Sequence, residues 1–333
     1  MRHMAVISWL GATRRQGSSG YKLQPMTPQR ACILIAVSAM TLGACSGDKP
    51  RLPDSAAALP PVVSIPVKPV PSTGWETEMA GPVLLLPVSG NSAAALVVLP
   101  QMTDSTIGSS PSGIDSIGSL PVELFSRDGL SGSAVFTADP GQASSEGCLS
   151  WPQGRLSEIP PDPWRVGFVQ GVAVPLPLDS IESMSKGDST FVTRELARLS
   201  SLVAEGDDST FRGLPFAIKK AYRFSHQESA ILVGDVIRRI PEEANPREEH
   251  LLVIAERPVS SGGSYSPVFH TRVAGAEDAV RTNEILSAVR FVKTGRLALV
   301  IAFEYEDGGR AALLQRMNAR EWRITWRSAY TGC

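Results

Sequence analysis

The amino-acid sequence predicts an α+β fold, mainly antiparallel β with at least one amphipathic helix at about residues 190–204. Three observations lead there. Short apolar runs recur between Gly, Asn, Asp and Pro turn signals from residue 75 onward. The C-terminal third alternates apolar and polar residues with a period of two. One window alone carries a helical period: Val192, Leu196, Leu199 and Val203 form a single apolar stripe.

Taken in order, Val83–Pro87 and Ala93–Leu99 are apolar runs divided by Ser89-Gly90-Asn91, a strand–turn–strand unit. Residues 102–119 are rich in Ser, Gly, Asp and Thr and read as a long loop. Strand signals return at 121–126 and 132–138, around Arg127-Asp128-Gly129, where Asp-Gly supplies the positive φ of a hairpin. Arg165–Pro175 reads as one further β run. For the helix, Asp188-Ser189-Thr190 offers N-cap oxygens and Gly206 a stop.

Beyond the helix, 229–240 and 250–256 are strand-like, joined by the charged two-proline loop Pro241–Glu249. Residues 278–293 fit helix or strand, with strand favoured from Glu284. Arg296–Tyr305 is apolar on both faces and reads as a central strand. Asp307-Gly308-Gly309 turns it into Arg310–Arg316, and the last strand places Trp322, Ile324 and Trp326 opposite Arg323, Thr325 and Arg327. Residues 75–333 therefore form the folded region, as one composite domain or two packed halves meeting near residue 212.

The chain before this region has a different character. Arg30 precedes an apolar run, Ala31–Leu42, shorter than the ~20 residues a spanning helix needs. It ends in Leu42-Gly43-Ala44-Cys45, which resembles the lipobox of bacterial lipoproteins. The resemblance implies cleavage before Cys45, a diacylglyceryl group on its sulfur and acylation of the new amino group. It also implies a lipid-anchored protein of the bacterial cell envelope, on the periplasmic or surface side of the outer membrane if the cell has two membranes. Residues 1–44 are then leader and signal peptide, and Met26 is a more ordinary start than Met1. Residues 45–74 carry the anchor and a tether dense in proline, which favours extended polyproline II and reaches up to about 80 Å.

Removing the leader takes five basic residues and no acidic one, leaving 27 basic against 33 acidic residues and a net charge of −6. No basic tract remains to follow a phosphate backbone, so nucleic acid is not an expected partner. Cys32 leaves with the leader and Cys45 is acylated, so Cys148 and Cys333 are left to form one disulfide in an oxidising compartment. On the chain-entropy account that bond is worth about 5 kcal/mol and pins the C-terminus. It would gather Trp151, Trp326 and Tyr330, with Trp164 nearby, as a core packed on the disulfide or as a stacking surface for sugars or peptides.

Chemistry-bearing motifs are sparse. Gly187-Asp188-Ser189-Thr190 has the letters of a Gly-Asp-Ser nucleophile, but no histidine lies in the expected Asp-x-x-His. Its letters recur at 206–210, and capping explains both copies. His226, His250 and His270 lie 24 and 20 residues apart with no metal-ligand spacing. His250 follows Glu248 and Glu249, which reads as a solvated acidic loop, with a carboxylate site joined by His250 as the alternative. No catalytic residue, metal site or cofactor is expected. The expectation is a non-catalytic binding or assembly module of the envelope, with the membrane as anchor and an envelope protein or glycan as partner. The alternative is an exported hydrolase acting on a cell-wall or peptide substrate.

Overall fold

The computed structural model describes residues 83–97, 119–139, 151–203, 209–242, 245–260, 262–305 and 308–332. The leader, Cys45, the tether, nearly all of the 102–119 loop, Gly206, Cys148 and Cys333 lie outside the described residues. The fold is mostly antiparallel β, with a closed barrel followed by two stacked sheets and one α-helix among the described residues.

Strands β1 (Val83–Ser89), β2 (Ser92–Val97), β3 (Leu120–Phe125), β4 (Leu130–Ala138), β5 (Gln153–Leu156) and β6 (Val166–Val169) close the barrel in the order β1-β2-β5-β4-β3-β6. Alternation decides what fills it. Val83 and Leu85 of β1, Leu120, Val122 and Leu124 of β3, and Phe136 of β4 point inward with Trp164. Leu84, Phe125 and Phe168 are also fully buried, but on the outer wall. Their burial comes from the next layer: Phe168 stacks edge-on against Phe291, ring centres 5.7 Å apart.

The rest of the described chain is a sandwich. One sheet runs β12 (Ser266–Ala276), β11 (Arg247–Pro258), β10 (Ser229–Ile240), β9 (Ala217–His226), β8 (Asp179–Ser180). The other runs β16 (Glu321–Arg327), β15 (Gly308–Asn318), β14 (Leu297–Tyr305), β13 (Thr282–Phe291), β7 (Ala173–Leu176), with β17 (Thr331–Gly332) beside β15. Ile231, Val233, Leu252 and Ile254 from the first sheet meet Leu299, Ile301, Phe303 and Leu314 from the second.

The opposite face of the first sheet, Leu232, Leu251 and Val253, is covered by α1 (Lys186–Val203) through Val192, Leu196 and Leu199. Strands β10, β11, β13 and β14 are thus apolar on both faces because each has a layer on either side.

Several sequence expectations need correction. The run Arg165–Pro175 is two strands, because Gly171 (φ 78°) turns the chain out of the barrel and into the second sheet. The helix starts at Lys186, and its cap is Ser185 rather than Asp188–Thr190: the Asp188 amide donates to the Ser185 hydroxyl at 3.2 Å.

Trp326 does not share a face with Trp322. The pairing shifts so that Ile324 lies opposite Leu314 but Trp326 opposite Leu313, and this bulge turns Trp326 out of the inter-sheet core. Glu248, Glu249 and His250 belong to β11 and are buried, not to a solvated loop, because Arg238, Arg239 and Arg272 pair with the carboxylates.

Strands β5, β9 and β12 carry no sequence signal: β5 is four residues long, Lys219-Lys220 interrupts β9, and β12 is a half-exposed edge. The central position of β14 and the strand after Glu284 are as expected.

The helix layer has one point of no tolerance. A Cβ on Gly234 would stand 2.5 and 2.8 Å from the Leu196 methyls. Gly234→Ala is therefore expected to push α1 off the sheet and destabilise the protein by about 1–3 kcal/mol in urea unfolding. Unchanged stability would show that the helix sits less tightly than described.

Candidate functional site

Five buried acidic residues lie on the strands of the two sheets, and four of them are paired. Glu284 on β13 is 3 % exposed and is held by Arg127 and Arg165 from the barrel side, Arg165 Nη1 donating at 2.8 Å, with Lys220 Nζ 3.8 Å away. Glu249 is clamped between Arg238 and Arg272. Glu248 pairs with Arg239 and lies 2.6 Å from His250 Nε2. Glu256 accepts from Arg316 Nε and Nη2 at 2.8 and 2.7 Å and from Trp322 Nε1 at 2.6 Å.

The fifth, Asp235, is not. It is 3 % exposed on β10, and neither carboxylate oxygen is held by a well-formed hydrogen bond. Burial pushes its pKa up to about 6, against the opposing pull of Lys219, His250, Lys220 and Asn283.

The described residues do form a cleft at one end of the sandwich, where three hairpin turns come together. The β9–β10 turn contributes His226, Gln227, Glu228 and Ser229; the β13–β14 turn contributes Thr294, Gly295 and Arg296; the β15–β16 turn contributes Arg316, Met317, Asn318 and Ala319. The cleft has a volume of about 510 Å³. Each turn is tight: Gln227, Gly295 and Arg320 take positive φ of 53°, 66° and 67°.

The floor of the cleft is anchored by the buried Glu256, which fixes the Arg316 guanidinium, and Arg316 Nη2 in turn donates to Ser229 Oγ at 3.0 Å. His226 faces the same space. Burial first, then the charges of Arg316 and Arg290, hold its pKa below the usual 6.5, with Glu256 opposing them. Arg296 is exposed and pairs with no carboxylate among the described residues.

Of the residues singled out from the sequence, His226 alone lies in the cleft among the described residues. Trp151 is buried and its Nε1 donates to the Ala329 carbonyl at 2.8 Å, which places it against the C-terminal segment that holds Tyr330. Trp326 is buried as well, Tyr330 is half-buried, and Trp164 fills the barrel. Cys45, Cys148 and Cys333, with the proposed acylation and disulfide, are outside the described residues.

Ser189 and Thr190 bond back to the Lys186 carbonyl in the first turn of α1, as helix-end residues do. The three histidines sit on different strands: His226 in the cleft, His250 buried on β11, His270 exposed on β12. Among the described residues no group of three His, Cys, Asp or Glu is arranged to hold a metal.

Sequence reasoning missed the cleft because its side chains come from turns about 70 and 20 residues apart that only sheet register aligns. In comparisons with protein-family models, curated proteins and solved structures, nothing matches this chain. The site rests on its own geometry.

Asp235 supplies a prediction with a definite sign. Its native pKa of about 6 lies above the ordinary 3.8, so the native state holds a proton that the unfolded chain releases. Stability from this group falls as pH rises from about 4 to 6, and the full cost of about 3 kcal/mol, an upper limit, stands above that range. Asp235→Asn should raise unfolding free energy by roughly 1–3 kcal/mol at pH 7.5 and leave it unchanged at pH 4. Equal effects at both pH values would count against a buried, ionised Asp235.

Proposed function

We propose that this protein is a cell-envelope lipoprotein, anchored through Cys45 and carried on its proline-rich tether, whose β-rich body is a non-catalytic binding or assembly module. One observation carries the second half of that reading. The cleft between the three turns is preformed, with its guanidinium fixed by a buried carboxylate, yet its side chains are wired for contact rather than proton transfer.

A serine nucleophile needs a base hydrogen-bonded to it and an acid orienting that base. Here Ser229 Oγ accepts from Arg316, none of the described hydrogen bonds joins it to His226, and the nearest buried carboxylate, Glu256, is taken by Arg316 and Trp322. A fixed arginine beside small polar turns suits recognition of a partner, an envelope protein or a glycan. The anchor and tether support the location: Leu42-Gly43-Ala44-Cys45 has the lipobox pattern, and the proline-rich segment lets the body reach a partner away from the membrane.

Two measurements test the two halves. Cys45→Ser should abolish fatty-acid labelling and move the protein from the membrane fraction to the soluble one; a mutant that stays membrane-bound overturns the anchor. A photo-crosslinker placed at Asn318, on the rim of the cleft, should capture an envelope protein or glycan in intact cells. Turnover of cell-wall fragments or peptides by the purified protein, lost in His226→Gln, would instead establish the hydrolase.

A further inference from the structure

The ligand chemistry can be taken one step further, on the reading of the body as a binding module. We propose that the cleft between the β9–β10, β13–β14 and β15–β16 turns binds a small polar ligand through an oxyanion, phosphate or carboxylate, seated against Arg296, Arg316 and His226. Its volume of about 510 Å³ suits a ligand of one or two sugar rings rather than a bare ion.

Charge points the same way. The mature chain is acidic overall, at −6; at this cleft Arg296 and Arg316 stand with Glu228, with Glu256 behind Arg316 and Glu321 beside Asn318, and the positive surplus comes from the residues around it. Arg290 on β13, Lys293 on the β13–β14 turn and Arg320 on the β15–β16 turn border the same end of the sandwich. A basic mouth on an acidic body concentrates field lines where an anion enters.

The two arginines differ in role. Arg316 is neutralised as a pair with Glu256 and held rigid by it, so it offers directed N–H groups at little cost in side-chain entropy. Arg296 is exposed and carries the uncompensated charge. An arginine fork matches the geometry of phosphate or carboxylate oxygens. Ser229 and Asn318 supply neutral polar groups at the same floor and rim, as a hydroxyl-bearing ligand body requires.

His226 makes the site responsive to pH. Arg316, Arg290 and Glu256 are the charged groups that act on it from β15, β13 and β11, with Glu228 on its own turn. Burial and the two arginines keep the imidazole neutral near pH 7. A bound anion reverses that balance and favours the imidazolium. By linkage the anion must then bind more tightly as pH falls through the depressed pKa of His226.

The test uses the full mature protein in detergent micelles with ring-labelled histidine. Sulfate, whose own charge is constant from pH 5.5 to 8, is titrated against chloride at equal ionic strength. Sulfate should move the His226 resonance, raise its pKa and bind about tenfold more tightly at pH 5.5 than at pH 8. Arg296→Gln, at an exposed position that leaves the fold alone, should weaken binding about tenfold.

Inorganic phosphate and glucuronate then separate the two sources of the oxyanion: the tighter of them names the class. A His226 response no different from chloride, or sulfate binding unchanged in Arg296→Gln, overturns the proposal. Crosslinking from Asn318 in intact cells keeps the two readings apart. A captured partner without an anion response removes the oxyanion alone, and an anion response without any captured partner or glycan removes the binding module.

Discussion

The structure depends on one buried carboxylate. Glu284 lies on β13 at the seam between barrel and sandwich, buried against Arg127 and Arg165, which reach it from the barrel. Removing either partner of a buried pair typically costs about 3–5 kcal/mol, since the remaining charge is stranded. Around this node the seam is completed by directed bonds. Arg127 Nε donates to the Ile285 carbonyl at 2.7 Å, the Leu178 amide to the Arg127 carbonyl at 2.9 Å, and Ser287 Oγ to the Ser126 carbonyl at 3.1 Å. Hydrophobic burial at Phe125, Phe168 and Phe291 holds the layers together without direction. The Glu284 cluster sets their register.

The same logic recurs wherever a strand is buried on both faces. Such strands have no solvated side for charge, so each acidic residue they carry needs a guanidinium from a neighbouring strand. Glu249 has Arg238 and Arg272, and Glu256 has Arg316. Arg238 and Arg272 come from the strands flanking Glu249, Arg238 directly opposite it, whereas Arg316 reaches Glu256 from the facing sheet. Ion pairs of this kind are weak contributors to stability but discriminate against slipped registers, where a charge would face an apolar layer. Asp235 is the exception, and its raised pKa is the physical signature of a carboxylate left without such a partner.

At the cleft, a pair that serves the interior also serves the surface. Glu256 satisfies the Trp322 indole within the core and, through Arg316, rigidifies the floor between the turns. Its character, an arginine held by a buried carboxylate beside an imidazole whose pKa burial and neighbouring arginines lower, follows from that wiring.

How far the sequence reached can be told from particular residues. By itself it determined what is local or periodic: the β1–β2 and β3–β4 hairpins, the amphipathic stripe of α1, and the two-faced apolar strand β14. Local sterics and side-chain alternation decide those. It also carries the lipobox resemblance at Cys45, which is linear by nature. It did not separate β6 from β7, because both are short apolar strands and the turn at Gly171 is their sole boundary.

Only the tertiary structure decided what depends on layers and register. The bulge that turns Trp326 away from Trp322 is one such feature. The pairing that buries Glu248, Glu249 and His250 is another. The convergence of His226, Arg296 and Arg316 at one end of the sandwich is the third. In each case the deciding partner is many residues distant in the chain, and a linear pattern holds no record of which strand will lie beside which.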